Sequence, residues 1–299
     1  MEVVITTPPQ AASLVADAVT ALFRGRPDAV LGVATGSTPV LVYDELGRRV
    51  ERGELSLARA RAFMLDEYVG LPEGHPERYR TVIDRDFASK VDIDPANVHG
   101  PDGLAEDLPA ACAAYEAAIQ AAGGVDLQLL GIGSDGHVAF NEPGSSLASR
   151  TRIKSLTRQT REDNARFFDG DTEAVPRHCL TQGVATILAA RHLVLMAFGK
   201  GKAEAVHHLA EGPVSAMWPA TALQLHPHVT VFVDDAAASR LQLGDYYRET
   251  FQAKPCLLYP SDAAAEPSSV DLGGSRIIKK KTTIGTIDSA MQRNIVDTR

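Results

Sequence analysis

The chain has 299 residues, 44% of them hydrophobic and 23% charged, with a formal net charge of −8. That is globular composition, enough for one large or two smaller domains, and the negative balance gives no global electrostatic support to a nucleic-acid partner. Three widely spaced cysteines, Cys112, Cys179 and Cys256, argue against a disulfide framework and fit a reducing compartment.

The first ten residues, MEVVITTPPQ, have no basic segment followed by an apolar core. No apolar run reaches the ~18 residues that span a bilayer. A cytoplasmic protein without a membrane partner is expected.

Short apolar runs alternate with helical stretches. Strands are predicted at Val3–Thr6, Ala29–Ala34, Arg61–Leu65, Leu127–Ile132, His192–Phe198 and Val229–Val233. Helices are predicted at Ala11–Phe23, Pro39–Arg52, Ala105–Ala121, Thr160–Phe168, Ala174–Ala190 and Lys202–Glu211. The alternation implies an α/β fold: a mainly parallel central sheet with helices on both faces. Ligands of such sheets bind beyond the carboxyl ends of the strands, so the residues just after each strand carry the interest.

After the second strand comes Thr35-Gly36-Ser37-Thr38-Pro39. Thr38 reads as a helix N-cap with Pro39 at the first helical position. Glycine, hydroxyls and free N–H groups make this an anion cradle; an ordinary capped helix start has the same residues. After the third strand comes Asp66-Glu67-Tyr68. A carboxylate there is either a partly desolvated general base or a turn residue. Glu67 reads as a solvated or capping neighbour, and His75, in a Pro/Gly loop, as non-catalytic.

The densest chemistry follows the Leu127–Ile132 strand, in GIGSDGHVAFNEPGSS from Gly131 to Ser146. Gly131, Gly133 and Gly136 allow a tight turn and close approach to a ligand. Asp135 precedes His137 by two residues and Glu142 follows it by five. One acid can hold the imidazole tautomer and the other tune its charge. After the fifth strand, Gly199-Lys200-Gly201-Lys202 forms a second anion site at a helix start, or a solvated basic turn. Arg166, beside Phe167 and Phe168, is a phosphate clamp or a surface residue; the pattern decides neither. His207-His208 lies on a predicted helix, where adjacent residues point apart, and His226-Pro227-His228 lacks a matching acid or cysteine spacing, so no metal site is expected.

Taken together, LGVATGSTP, FMLDEYVGLPEGHPERY, GIGSDGHVAFNEPGSSLASRTRIKSL, TREDNARFF, VPRHCLTQGVATIL and MWPATALQLHP resemble the glucosamine-6-phosphate deaminase family over about residues 1–250. The related 6-phosphogluconolactonases share a similar histidine turn, but generally lack the Asn141-Glu142-Pro143 and Asp66-Glu67-Tyr68 seen here. The resemblance implies a Rossmann-like fold of the deaminase/6-phosphogluconolactonase type. It implies conversion of glucosamine 6-phosphate and water into fructose 6-phosphate and ammonia, without a cofactor. His137 would open the sugar ring, oriented and tuned by Asp135 and Glu142. Asp66 would move the C2 proton. Gly36, Ser37, Thr38, Arg166 and Lys202 would hold the phosphate of a hexosamine 6-phosphate. Some relatives are hexamers activated by N-acetylglucosamine 6-phosphate, and Ser145, Arg152, Lys154 and Ser155 match that allosteric surface, so a homo-oligomer of up to six copies is expected. The competing readings are a 6-phosphogluconolactonase-like hydrolase, in which Asp66 is dispensable, and a sugar-phosphate sensor without turnover. Residues 1–254 read as a single domain. Residues 255–299, with Pro, Ser and Ala clusters and the Lys279–Lys281 run, match no family pattern and form an unassigned tail.

Overall fold

A computed structural model describes residues 1–253; the expectation of a separate tail lies outside the described residues. Ten strands run in chain order: β1 Glu2–Ile5, β2 Val30–Val33, β3 Arg61–Met64, β4 Asp66–Tyr68, β5 Val98–His99, β6 Leu127–Leu130, β7 Arg152–Ser155, β8 His178–Thr181, β9 His192–Ala197 and β10 Val229–Val233. The α-helices are α1 Pro8–Gly25, α2 Ser37–Glu51, α3 Tyr79–Asp86, α4 Leu108–Ala121, α5 Arg158–Asn164, α6 Val184–Ile187, α7 Ala203–Glu211 and α8 Gly244–Gln252.

Seven strands form one sheet in the order β1-β10-β9-β6-β2-β3-β5, and every pairing in it is parallel. The expected parallel sheet is therefore present. Its strands are buried on both faces, and their alternating side chains feed two cores. Leu31, Val33, Leu129, Val194 and Met196 join α1 and α2 through Val15, Val19, Val42 and Leu46. Val30, Leu130, Leu193 and Leu195 join α4 and α7 through Ile119, Val206 and Leu209. A strand with period two and no exposed face reads as a continuous apolar run, which is why these strands stand out in the sequence.

The remaining three strands, in the order β4-β8-β7, form a small antiparallel sheet. This sheet is absent from the sequence expectation. The helix expected at Ala174–Ala190 is instead β8 followed by the four-residue α6. Pro176 would be tolerated in a first helical turn, but Cys179, Leu180 and Thr181 pair with both β4 and β7. Tertiary pairing thus overrides the helix preference of the alanines. Gly183 follows because a Cβ there would stand 2.0 Å from the Ser149 carbonyl oxygen.

β3 runs through Leu65 directly into β4, so one extended segment serves both sheets. The Gln182 N–H donates to the Leu65 carbonyl at the handover, at 2.8 Å. At the amino end of the large sheet, the buried Asp126 fixes three strands. Its carboxylate accepts from Val30 N at 2.8 Å, Arg26 Nη1 at 2.7 Å and Arg191 Nη1 at 2.9 Å. Asp126→Ala leaves a buried N–H and two cations without their acceptor. It should lower unfolding free energy by about 3 kcal/mol, measured by urea titration, and a loss under about 1 kcal/mol would contradict this account.

Candidate active site

Four neighbouring strands, β9, β6, β2 and β3, deliver their carboxyl ends to a cleft of about 870 Å³. The chain leaves β2 toward β3 on one side, and leaves β6 toward β9 on the other. The boundary between β2 and β6 is the topological switch point at which such sheets bind ligands.

The β2 loop is held from above by Tyr43 of α2. Its hydroxyl accepts from Ala34 N at 3.0 Å and donates to Ala34 O at 2.8 Å. The helix begins earlier than the sequence reading placed it. Gly36, at φ +108°, is the N-cap, and Ser37 and Thr38 lie in the first turn with Pro39 behind them. The difference is physical: this φ is open to glycine and costly for threonine. The first turn keeps its unbonded N–H groups, and Gly36, Ser37 and Thr38 all line the cleft.

Asp66 opens β4 and is 7% exposed. Among the described residues no hydrogen bond to its carboxylate is found. Burial, and secondarily the charge of Glu67, push its pKa up to about 8. Glu67 points elsewhere. It accepts from Tyr79 N and Arg80 N at 2.9 Å, satisfying the first turn of α3. It is thus a capping residue, and a buried one.

The β6 turn is built around its histidine. Gly133 N donates to His137 O at 2.9 Å. A Cβ on Gly133 would stand 2.3 Å from the imidazole, so only glycine lets the ring lie there. Asp135 Oδ1 accepts from His137 N at 3.2 Å and stands 2.7 Å from Nδ1. The side-chain approach is bent away from the ring N–H direction, so it is an ion contact rather than a straight hydrogen bond. Burial alone would raise the Asp135 carboxyl, but the His137 side chain, its charge and its N–H outweigh burial and bring the pKa to about 2. Ala139 holds φ +50° without being glycine, a strained position of the kind that clusters at functional sites.

Glu142 lies behind the cleft wall, 3% exposed. Its Oε1 accepts from Thr160 Oγ1 at 2.6 Å, and Oε2 is buried without a partner. One ligand atom each from Asp135, His137 and Glu142 fall within 4.8 Å of one another. This is close enough for their charges to act on one another and for a shared cation.

On the far wall, Gly199 N is held by both carboxylate oxygens of Asp234 at 3.0 Å, and a single 3-10 turn, Lys200–Lys202, leads into α7. Lys202 lines the cleft, whereas Lys200 does not. Burial pulls the Lys202 ammonium down, opposed by Asp135 and Asp163. Arg166 lies 4.7 Å from the Phe167 ring centroid, and both residues line the cleft.

The structure therefore brings Gly36, Ser37, Thr38, Asp66, Asp135, His137, Arg166 and Lys202 into one cleft, with Glu142 just behind it. Ser145, Arg152, Lys154 and Ser155 lie off it. Ser145 is buried, and the other three belong to β7, where Arg152 Nη1 donates to Asn141 Oδ1 at 2.9 Å. Sequence reasoning missed Tyr68 and Tyr79, which line the cleft beside Asp66, and Asn164, whose amide donates to Tyr68 Oη at 3.0 Å. It also missed Thr160, whose only local signal is the Thr157 cap three residues earlier.

Fold and site define an α/β protein whose cleft joins an acid–base trio to an anion cradle. A family model described as glucosamine-6-phosphate isomerases/6-phosphogluconolactonase matches residues 7–232, and the chain belongs to that family. It is similar to the glucosamine-6-phosphate deaminase of Beutenbergia cavernae, at 72% identity over 256 residues, covering 85% of this chain and 98% of the relative. The enzyme of the same name from Mycolicibacterium smegmatis is 71% identical over the same length and coverage. A solved structure of a monomeric glucosamine-6-phosphate deaminase superposes with TM-score 0.78 at 41% identity, covering 80% of this chain and all of the other. The 6-phosphogluconolactonase of Trypanosoma brucei, at 20% identity and TM-score 0.62, covers 80% of this chain and 98% of its own and shares the fold.

The raised Asp66 pKa sets a pH dependence of stability. An unfolded aspartate loses its proton near pH 4, whereas folded Asp66 keeps it up to about 8. Between these values the native state binds more protons, so its stability falls as pH rises. Asp66→Asn removes that penalty. Its stability relative to the parent should grow from near zero at pH 4 to a few kcal/mol, on the order of 1.4 per pH unit at most, by pH 8. Denaturant titrations at both pH values check this, and a constant difference would refute it.

Proposed function

We propose that this protein converts glucosamine 6-phosphate and water into fructose 6-phosphate and ammonia, using its own side chains and no cofactor. The observation that carries the proposal is the buried Asp66 carboxyl, poised near pH 8, in the same cleft as the histidine trio and the cationic cradle. The reaction is an aldose–ketose isomerisation joined to loss of an amine, and its demands map onto these residues.

The phosphate is held by the N–H groups and hydroxyls at Gly36, Ser37 and Thr38, with the Arg166 guanidinium and the Lys202 ammonium. That fixes C1 and C2 relative to the acids. His137 takes the proton of the C1 hydroxyl and returns one to the ring oxygen, which opens the sugar. Asp135 holds the ring, and Glu142 stabilises its charge. Asp66 takes the proton from C2, forming an enolamine, and delivers it to C1. The resulting C2 iminium adds water and expels ammonia, leaving the ketone. A positioned base of this kind contributes on the order of 10²–10⁴-fold.

A lactone hydrolase needs a base for water but none for a C2 proton, and leaves a desolvated Asp66 without a task. A sensor needs the cradle and no acids. The decisive measurement is ammonia release from glucosamine 6-phosphate beside hydrolysis of 6-phosphogluconolactone. The first should dominate. Asp66→Asn should lower ammonia release by at least about 10²-fold while retaining phosphosugar affinity. Near-normal turnover in that variant would falsify the base assignment. In the parent, the acidic limb of kcat/KM should inflect near 8, because only deprotonated Asp66 accepts the proton.

We place the protein in the cytoplasm, with residues 1–254 as its one catalytic domain. Among the described residues no helix is long and apolar enough to cross a membrane, and Cys112 and Cys179 are unpaired. The surface of Ser145, Arg152, Lys154 and Ser155 is read as an activator site within a homo-oligomer. Its support is the Arg152–Asn141 bond, one residue from Glu142. Titrating N-acetylglucosamine 6-phosphate should lower the substrate concentration at half-saturation, and no shift would remove this site.

A further inference from the structure

Glu142 draws its support from outside its own loop. The turn from Gly131 to Glu142 supplies both the Asp135 contact of His137 and the glycine that makes room for the ring. For Glu142 it supplies no side-chain partner. The short hydrogen bond to its carboxylate comes from Thr160, on α5. At 2.6 Å this has the length of a charge-assisted O–H···O⁻ bond. Thr157 Oγ1, 3.4 Å from the same carboxylate oxygen, is the cap of that helix. The other oxygen is buried and unpartnered, and the carboxylate as a whole belongs to the group with Asp135 and His137.

The same helical segment reaches the rest of the site. Asn164 donates to Tyr68 Oη beside Asp66. Asp163 acts on the Lys202 charge. Arg166, six residues beyond Thr160, stands on the cleft wall in the 3-10 turn that continues α5. Whatever holds Arg166 therefore also sets where Thr160 stands, and Thr160 sets Glu142.

We propose that Thr160 is a positioning residue, through which phosphate held at Arg166 aligns Glu142 with His137. This rests on the deaminase reading above and extends it. The phosphate then does more than anchor the substrate: part of its binding energy is realised as alignment of the acid–base trio, raising kcat rather than lowering KM alone. The bond's energy enters through the reacting conformation, so its loss moves kcat more than affinity.

The test compares Thr160→Val, which keeps the shape and removes the hydroxyl, with Thr160→Ser, which keeps the hydroxyl. Ammonia release from glucosamine 6-phosphate should fall about 10- to 100-fold in kcat for the valine variant, the range of one lost charge-assisted bond. Its KM should stay within about twofold, and the serine variant should recover most of kcat. A second arm uses unphosphorylated glucosamine with inorganic phosphite as the separate anion. Phosphite should raise kcat/KM for the parent and for Thr160→Ser by tenfold or more, and for Thr160→Val by less than twofold. A valine variant with parental kcat, or with full phosphite activation, overturns the proposal, as does a parent that phosphite leaves unchanged. A parent that releases no ammonia from glucosamine 6-phosphate overturns the deaminase reading itself, and this inference with it.

Discussion

Parallel strand register is the constraint on which the site depends. Val33 stands beside Met64, so β2 and β3 end level, and Leu130, the last residue of β6, stands beside Leu195, two residues before the end of β9. Each strand then releases its chain at the same edge: a glycine-capped helix, a carboxylate, a histidine turn and a lysine turn. A two-residue slip in any one strand would carry its residues roughly 7 Å along the sheet, too far for a cleft sized to a sugar phosphate. Asp126 guards that register at the opposite edge, where it ties β2 and β6 by backbone and side chain together.

The small antiparallel sheet has the second essential task of removing water from Asp66. A carboxylate at the end of an ordinary parallel strand faces an open crevice and keeps a low pKa. Here the chain does not turn away after β3. It continues as β4 under β8, and Asp66 lies opposite Thr181. Tyr68, Tyr79, Tyr115 and Cys179 crowd the same region, each with its own proton held more tightly, first by burial and then by neighbours that include Asp66. Among the described residues no ion pair to Asp66 is found. Arg78 stands 3.7 Å from Glu67 instead. Folding bears a cost for an unpaired buried acid, and the raised pKa suits the base proposed for it.

The sequence made six of the large sheet's seven strands legible because their largely buried faces leave a run of apolar residues; β5, only Val98–His99, has no such run and was missed. The six predicted strands of that sheet appear within a residue or so of their observed ends. The loops that follow them were legible for a related reason: glycines, acids and lysines are conspicuous immediately after such runs. What stayed hidden depends on partners distant in sequence. β7 and β8 are four residues each with no pattern that marked them as strands, and they exist because β8 pairs with β7 on one side and with β4 on the other. Helix α3 begins where Glu67, twelve residues earlier than Tyr79, supplies its cap. Asp66 was visible as an acid at a strand end, with partial desolvation as one of two readings; the strand that buries it was not visible, since β8 read as helix.

The trio shows the same division inside one site. Asp135 and His137 are two residues apart, and their contact is fixed by a local turn whose glycines announce it. Glu142 belongs to the same stretch of sequence, yet its hydrogen bond crosses to a different helix. A carboxylate held locally keeps its geometry with or without substrate. One held by another element shares that element's position, including whatever its far end is bound to. In the proposed mechanism the acid that orients the imidazole is thus set by its own turn, whereas the acid that tunes its charge depends on α5, the segment continued by the turn that carries Arg166. On that proposal, proton transfer is favoured when the phosphate is seated and disfavoured when the cleft is empty, which suits a reaction whose enolamine intermediate must not be exposed to water.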